Sequence, residues 1–281
     1  MDIITTVSDQ QKYCKSIISG DKGISLIPTM GNLHKGHESL FIRSTESDNK
    51  RIASIFVNPL QFNDAKDYTE YPRSIENDIK ILEKHKIDCL FMPEVKDIIL
   101  DRENKTECLP DYMSKLCGQY RVGHFNGVFE IVKRLFEVIC PSLAYFGRKD
   151  YQQILLIRYI IKKYFDNNIN LVECETIRDD FGLAMSSRNI HLSVNQRKQS
   201  SIIYKSLCSI KDQIKKDINY NFDKLRKELV SKAKKENISV EYLELLTSEN
   251  LSKPSRKKDE NLTLLIAFYV SDIRLIDNIQ I

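Results

Sequence analysis

The sequence predicts an α/β protein: a parallel sheet covered by helices on both faces, followed by a smaller α+β domain. Three observations predict it. Over residues 1–175, short runs rich in β-branched and aromatic residues alternate with stretches of helical period, the order expected of a parallel sheet. After residue 175 the order becomes two helical stretches and then three strand-like runs. The chain has 281 residues, about two domains at roughly 150 residues each. The change of pattern puts the expected domains at 1–175 and 176–281.

Residues 24–27 read as a strand closed by Pro28, since proline has no N–H for a ladder. Residues 37–45 read as a helix with Leu40 and Phe41 on its buried side, and 52–57 as a β-branched and aromatic strand. Ile75, Ile79 and Leu82 fall at i, i+4 and i+7, a helix stripe. Residues 89–92 make a strand before Pro93. Val128, Ile131, Val132, Leu135, Phe136 and Ile139 form a long amphipathic stripe ending before Pro141. A strand at 143–146, a helix at 152–165 and a strand at 170–174 complete the alternation. In the second domain Ser193 caps a helix running towards Lys216. Residues 222–237 form a Lys-rich helix, and 240–246, 262–270 and 273–279 read as strands, with a charged loop at 252–260 (SKPSRKKDE).

A composition of 42% hydrophobic and 29% charged residues excludes disorder as the main state. The net charge is only +4, with both signs interspersed, which does not mark a nucleic-acid scaffold. An anionic small substrate suits it equally well. No run approaches the ~18 apolar residues that span a bilayer; residues 262–270 are too few and are interrupted by Thr263. Cys14, Cys89, Cys108, Cys117, Cys140, Cys174 and Cys208 show no C-x-x-C spacing, so reduced core thiols of a cytoplasmic protein are expected. The start, MDIIT, lacks a basic segment followed by an apolar one, so no signal peptide is expected.

Ligands of such sheets collect beyond the strand C-terminal ends, and the unusual residues fall there. Residues 28–37, PTMGNLHKGH, hold two glycines and the pair His34 and His37. At a helix N-terminus, free N–H groups and the dipole favour phosphate, and two imidazoles there can donate to a leaving pyrophosphate. The plain alternative is a strand–turn–helix junction with two surface histidines; half a metal site is another, without a convincing third ligand. In residues 57–73 the amides of Asn58 and Gln61 suit hydroxyl and carboxylate groups, or make an ordered Asx turn. In residues 118–128 His124 and its glycines line a pocket or belong to a capped loop. In residues 145–153 Lys149 is a fixed cation, Asp150 accepts from ribose or orients Lys149, and Gln153 follows on the next turn; a solvated charged turn reads equally simply. Residues 185–189, MSSRN, form either a mobile phosphate clamp or a polar interdomain connection.

Together these five segments, in this order from Pro28 to Asn189, resemble the pantoate–β-alanine ligase (pantothenate synthetase) family of the H-x-G-H nucleotidylyltransferase superfamily. A weaker likeness returns in residues 241–244 (EYLE) and 274–278 (RLIDN). The resemblance implies a Rossmann-like ATP- and pantoate-binding domain at 1–175 and a small lid domain at 176–281. It implies a cytoplasmic homodimer that acts on neither nucleic acid nor membrane. It implies ATP-dependent joining of pantoate and β-alanine to pantothenate through pantoyl adenylate, releasing AMP and pyrophosphate, with Mg2+ accompanying the ATP phosphates.

Carried over by position, the resemblance implies that Met30, Gly31, Asn32, Leu33, His34, Lys35, Gly36 and His37 line the nucleotide site, with His37 as general acid. Gly147, Arg148, Lys149, Asp150, Ile177, Met185, Ser186, Ser187 and Arg188 hold ATP. Among these, His34, His37, Lys149, Ser186, Ser187 and Arg188 carry the catalytic charge stabilisation. Asn58, Gln61 and Gln153 hold the organic substrates. The metal ligands are not implied. Asn32 stands where the family usually has Ala, and Arg148 where it usually has Glu or Gln; Arg148 either strengthens ATP binding or points to solvent. The runner-up is a simple nucleotidylyltransferase acting on a phosphorylated small molecule, against which the neutral amides of Gln61 and Gln153 argue. A binding protein using the lysines between Lys224 and Lys235 on RNA lacks the interleaved aromatics of a stacking platform.

Overall fold

A computed structural model describes residues 1–99, 107–217, 219–254 and 261–281. Residues 255–260 of the expected charged loop lie outside the described residues. The chain forms two compact units, Met1–Arg148 with Gln152–Glu175, and Lys149–Tyr151 with Thr176–Ile281.

The first unit is built on β1 (Asp2–Ile4), β2 (Ile24–Thr29), β3 (Lys50–Ile55), β4 (Cys89–Phe91), β5 (Leu143–Gly147) and β6 (Asn170–Cys174). These pair in the order β1-β4-β3-β2-β5-β6, every pair parallel. Its helices are α1 (Val7–Ser19), α2 (Lys35–Arg43), α3 (Ala65–Thr69), α4 (Ile75–Lys84), α5 (Val95–Ile98), α6 (Cys117–Tyr120), α7 (His124–Ile139) and α8 (Tyr151–Tyr164). From β2 the chain fills the sheet on one side with β3 and β4, while β5 and β6 lie on the other. The switch point where ligands bind in such sheets therefore falls between the ends of β2 and β5. A buried cluster with Ile27, Phe41, Ala53, Leu82, Leu90 and Tyr145 fixes the strands against α2 and α4.

Pro28 lies inside β2 rather than ending it, opposite Ser54 of β3. The ladder of β2 with β5 stops at Leu26, so the missing N–H of Pro28 leaves no ladder bond unmade there. The elements β1 and α1 precede the first strand expected from the sequence. Only Gln10 and Cys14 are buried on α1, too thin a stripe to announce a helix, although Thr6 caps it by accepting the Asp9 N–H at 3.2 Å.

The second unit holds α9 (Val194–Lys216), α10 (Phe222–Lys235) and the antiparallel sheet β7 (Ile238–Thr247), β8 (Leu262–Val270) and β9 (Ile273–Gln280), in that order. Ser193 caps α9 in a reciprocal box with Gln196. Leu225, Leu229 and Ala233 recur every fourth residue along α10 and are buried, so its lysines fall on the other face. Ile203, Leu207, Ile238, Leu264, Ile266 and Phe268 belong to this unit's own core.

All seven cysteines are free thiols. Four are buried, as expected of core thiols, whereas Cys108 and Cys140 are exposed. Cys140 ends α7 in the left-handed region at φ 49°, a chain reversal before Pro141 rather than a core position. No described helix is long and apolar enough to cross a membrane.

Candidate active site

In the first unit the site is built on the loop after β2. Thr29 Oγ1 donates to Ser54 O (2.9 Å) and accepts the Gly31 N–H (3.2 Å). Gly31 and Asn32 then turn with φ of 78° and 49°, a conformation that glycine and asparagine tolerate best. A Cβ at Gly31 would stand 3.0 Å from Asp78 Oδ2 and 3.1 Å from Ile55 Cγ2. The reason for this crowding is Asp78, which is buried in α4 (1% exposed). Its two carboxylate oxygens accept the N–H groups of Asn32 and Leu33, each at 2.8 Å, and Ser74 Oγ donates to it at 3.0 Å. Asp78 is a residue of the site that sequence reasoning missed. Its signal was a carboxylate lying within the stripe Ile75, Ile79 and Leu82.

This anchoring presents the two histidines. His34 is the N-cap of α2 with an extended backbone, and His37 lies in the first helical turn. Its Nδ1 accepts the Gly36 N–H (3.1 Å), and His37 Nδ1 accepts the His34 N–H (3.3 Å). The rings pack with centroids 4.1 Å apart. With Nδ1 accepting, a neutral imidazole carries its proton on Nε2. Lys35 is exposed and Leu33 is buried in the core, so Leu33 can offer a nucleotide only its main chain.

The loop after β3 carries Asn58 and Gln61. Asn58 is buried: its Nδ2 donates to Gly127 O (3.0 Å) and Gln61 Oε1 (3.1 Å), and its Oδ1 accepts the Leu60 N–H (3.0 Å). Gln61 Nε2 points to Met30 Sδ at 2.9 Å, so the loops after β2 and β3 meet. His124 is buried at the start of α7. Its Nδ1 donates to Gln61 O (2.8 Å), Arg121 Nη2 donates to the same oxygen (3.2 Å), and Arg121 Nη1 donates to His124 Nε2 (3.1 Å). His124 thus supports the backbone of Gln61. On α8, Gln152 is buried and bonds Cys117 N, Tyr112 O and Lys115 O, while Gln153 is half-buried.

Gly147 ends β5 with open space where a Cβ would stand. Arg148 Nε and Nη1 reach Glu173 Oε2 (3.2 Å) and Glu175 Oε1 (2.9 Å). Burial works against its charge, but the Glu173 hydrogen bond and the two carboxylate charges outweigh it and hold its pKa above the ordinary value. Arg148 is thus engaged by the carboxylates of Glu173 and Glu175.

In the second unit Lys149 Nζ stands 3.9 Å from Asp150 Oδ1. Residues 177–185 close on themselves: the Met185 N–H reaches Ile177 O at 2.8 Å, and Arg178 bridges Ala184. Ser186 Oγ then accepts the Arg188 N–H (3.3 Å), Ser187 is buried, and Arg188 is half-buried. Sequence reasoning missed Arg178 and the carboxylate it meets. Nη1 and Nη2 of Arg178 lie 2.6 and 2.8 Å from the two oxygens of Asp277. Burial pulls the Arg178 pKa down, and the Asp277 hydrogen bond and charge more than restore it. Among the described residues, no group of three or more His, Cys, Asp or Glu side chains gathers as metal ligands.

The family model for pantoate–β-alanine ligase matches residues 2–280. The chain is 36% identical over 280 residues to the pantothenate synthetase of Thermotoga petrophila, covering 99% of each. It is 38% identical over 270 residues to that of Leptospira interrogans, covering 92% of this chain and 91% of the other. A pantothenate synthetase structure from Thermus thermophilus superposes with a TM-score of 0.89 at 30% identity, over 100% of this chain and 99% of that one. A pantoate–β-alanine ligase from Francisella tularensis, complexed with beta-gamma ATP and β-alanine, superposes at 0.78 with 32% identity, over 100% and 97%. The Rossmann-like parallel sheet with a smaller antiparallel domain is the fold of these enzymes, and this chain belongs to the pantoate–β-alanine ligase family and is an enzyme of it.

Proposed function

We propose that this chain joins pantoate to β-alanine at the expense of ATP, in two steps. A pantoate carboxylate oxygen attacks the α-phosphorus of ATP, and pyrophosphate leaves. The β-alanine amine then attacks the acyl carbon of pantoyl adenylate, and AMP leaves with its bridging oxygen. Activation is required because a carboxylate is a poor electrophile, and adenylation gives its carbon a good leaving group. Family membership supports the overall reaction. The observation that carries the first step is the pair His34 and His37 at the N-terminus of α2, each with Nδ1 occupied by a backbone N–H. A neutral ring whose Nδ1 accepts carries its proton on Nε2, and in this reading Nε2–H donates to the charge that develops on pyrophosphate.

In this reading Met30 to His37, with Gly147, Asp150, Ile177 and Met185, line the nucleotide site. Lys149, Ser186, Ser187 and Arg188 meet the phosphates. Gln61, held by Asn58 and His124, and Gln153 hold pantoate. Arg148, facing Glu173 and Glu175, acts on the loop rather than on ATP. The first unit binds ATP and pantoate, the second is the lid, and the working form is a cytoplasmic homodimer. Magnesium enters as the companion of the ATP phosphates.

The test is AMP release by purified protein with ATP, magnesium, pantoate and β-alanine, each omitted in turn. AMP release that needs both organic substrates, with pantothenate confirmed by mass, is the expected result. Absence of turnover with the full mixture would overturn the reading in favour of a phosphorylated small-molecule substrate.

A further inference from the structure

Asp277 and Asn278 are buried neighbours on β9, and each holds a different segment of the second unit. Asp277 takes the Arg178 guanidinium in a two-point pair. Arg178 Nη1 also donates to Gly182 O (3.1 Å), and its guanidinium lies 3.5 Å from the centroid of the Tyr204 ring. The loop that Arg178 closes runs to Ala184, whose carbonyl takes a hydrogen bond from Asn189 Nδ2 at 3.1 Å. Residues 186–188 are therefore held from both sides. The next residue on β9 holds the other segment: Asn278 Nδ2 donates to Lys149 O at 2.9 Å. Tyr151 secures the same segment by donating to Ser248 O at 2.7 Å. A buried ion pair is a weak source of net stability, whereas a two-point guanidinium–carboxylate pair fixes direction well.

We propose that Asp277 and Asn278 are positioning residues for the phosphate-binding set, one dipeptide fixing the backbone of Lys149 and the loop carrying Ser186 and Arg188 in register with each other. The inference rests on the proposed role of Lys149 and deepens it. Lys149 and Arg188 have long side chains, so their aim depends on where their backbones stand, and small misplacements of phosphate donors cost large factors in rate.

The experiment is a cycle on the full chain with Asn278→Ala, Lys149→Ala and the double variant, read by steady-state AMP release and thermal melting. Asn278→Ala should lower kcat roughly tenfold, leave KM for pantoate within about twofold, and add less than about twofold once Lys149 is already Ala. Asn278→Asp, the same shape without the donor, should match Asn278→Ala. An Asn278→Ala loss that keeps its full size in the Lys149→Ala background would show a general structural role and overturn the proposal, as would an unchanged kcat. An unchanged kcat in Lys149→Ala alone would instead overturn the reading of Lys149 on which the proposal stands. Asp277→Asn, which keeps the shape but weakens the hold on Arg178, should reduce kcat without raising KM for pantoate; a change confined to that KM would count against it.

Discussion

The two ring nitrogens of His37 do different work. Nδ1 accepts the His34 N–H and completes the capping box, while in the proposed reaction Nε2–H donates to the departing pyrophosphate. Two amide substitutions separate these duties, because an asparagine oxygen falls near Nδ1 and a glutamine amide nitrogen near Nε2. His37→Asn should keep the cap and its melting temperature but lose about a hundredfold in pyrophosphate release. His37→Gln should retain more activity while losing about 1 kcal/mol from the cap. Equal loss of activity in both variants, measured by single-turnover release, would remove Nε2 from the mechanism. At this scale the sequence exposed the chemistry of residues 28–37 but not what holds it. Asp78 lies 46 positions from Asn32 in the chain, and nothing local in either segment announces the partnership.

Between elements, α7 meets the Gln61 loop with no room to spare. A Cβ at Gly127 would lie 2.3 Å from Leu60 O and 2.8 Å from Gln61 N, inside any real contact. Gly127→Ala must therefore push the loop off the helix. It should cost about 1–3 kcal/mol of stability and raise KM for pantoate about tenfold or more while leaving KM for ATP within a few-fold. Melting curves and initial rates check it, and an unshifted pantoate KM would show that the loop position does not set that site. The helix itself was legible, since its apolar stripe from Val128 to Ile139 is nearly complete and buried. Its start was not. Residues 118–128 read equally as pocket or capped loop, because the partner that decides between them, the carbonyl of Gln61, comes from 63 positions away.

Across the whole molecule, the change of pattern near residue 175 was legible because helical and strand periods are local properties. The inclusion of Lys149–Tyr151 in the second unit was not, since it depends on Asn278 and Ser248, about a hundred residues further on. The same organisation has a thermodynamic consequence. The buried cluster around Phe41 belongs to the first unit and that around Phe268 to the second. Both phenylalanines are fully buried, and truncating either to Ala removes about 3–5 kcal/mol. In the second unit, of about a hundred residues, this lowers the melting temperature by on the order of 20 °C, and in the larger first unit by on the order of 10 °C. Calorimetry of Phe268→Ala should therefore show a transition that moves down and separates from one left near the parent temperature, and Phe41→Ala should move the other. A single transition shifted equally by both substitutions would mean that the two cores melt as one cooperative body.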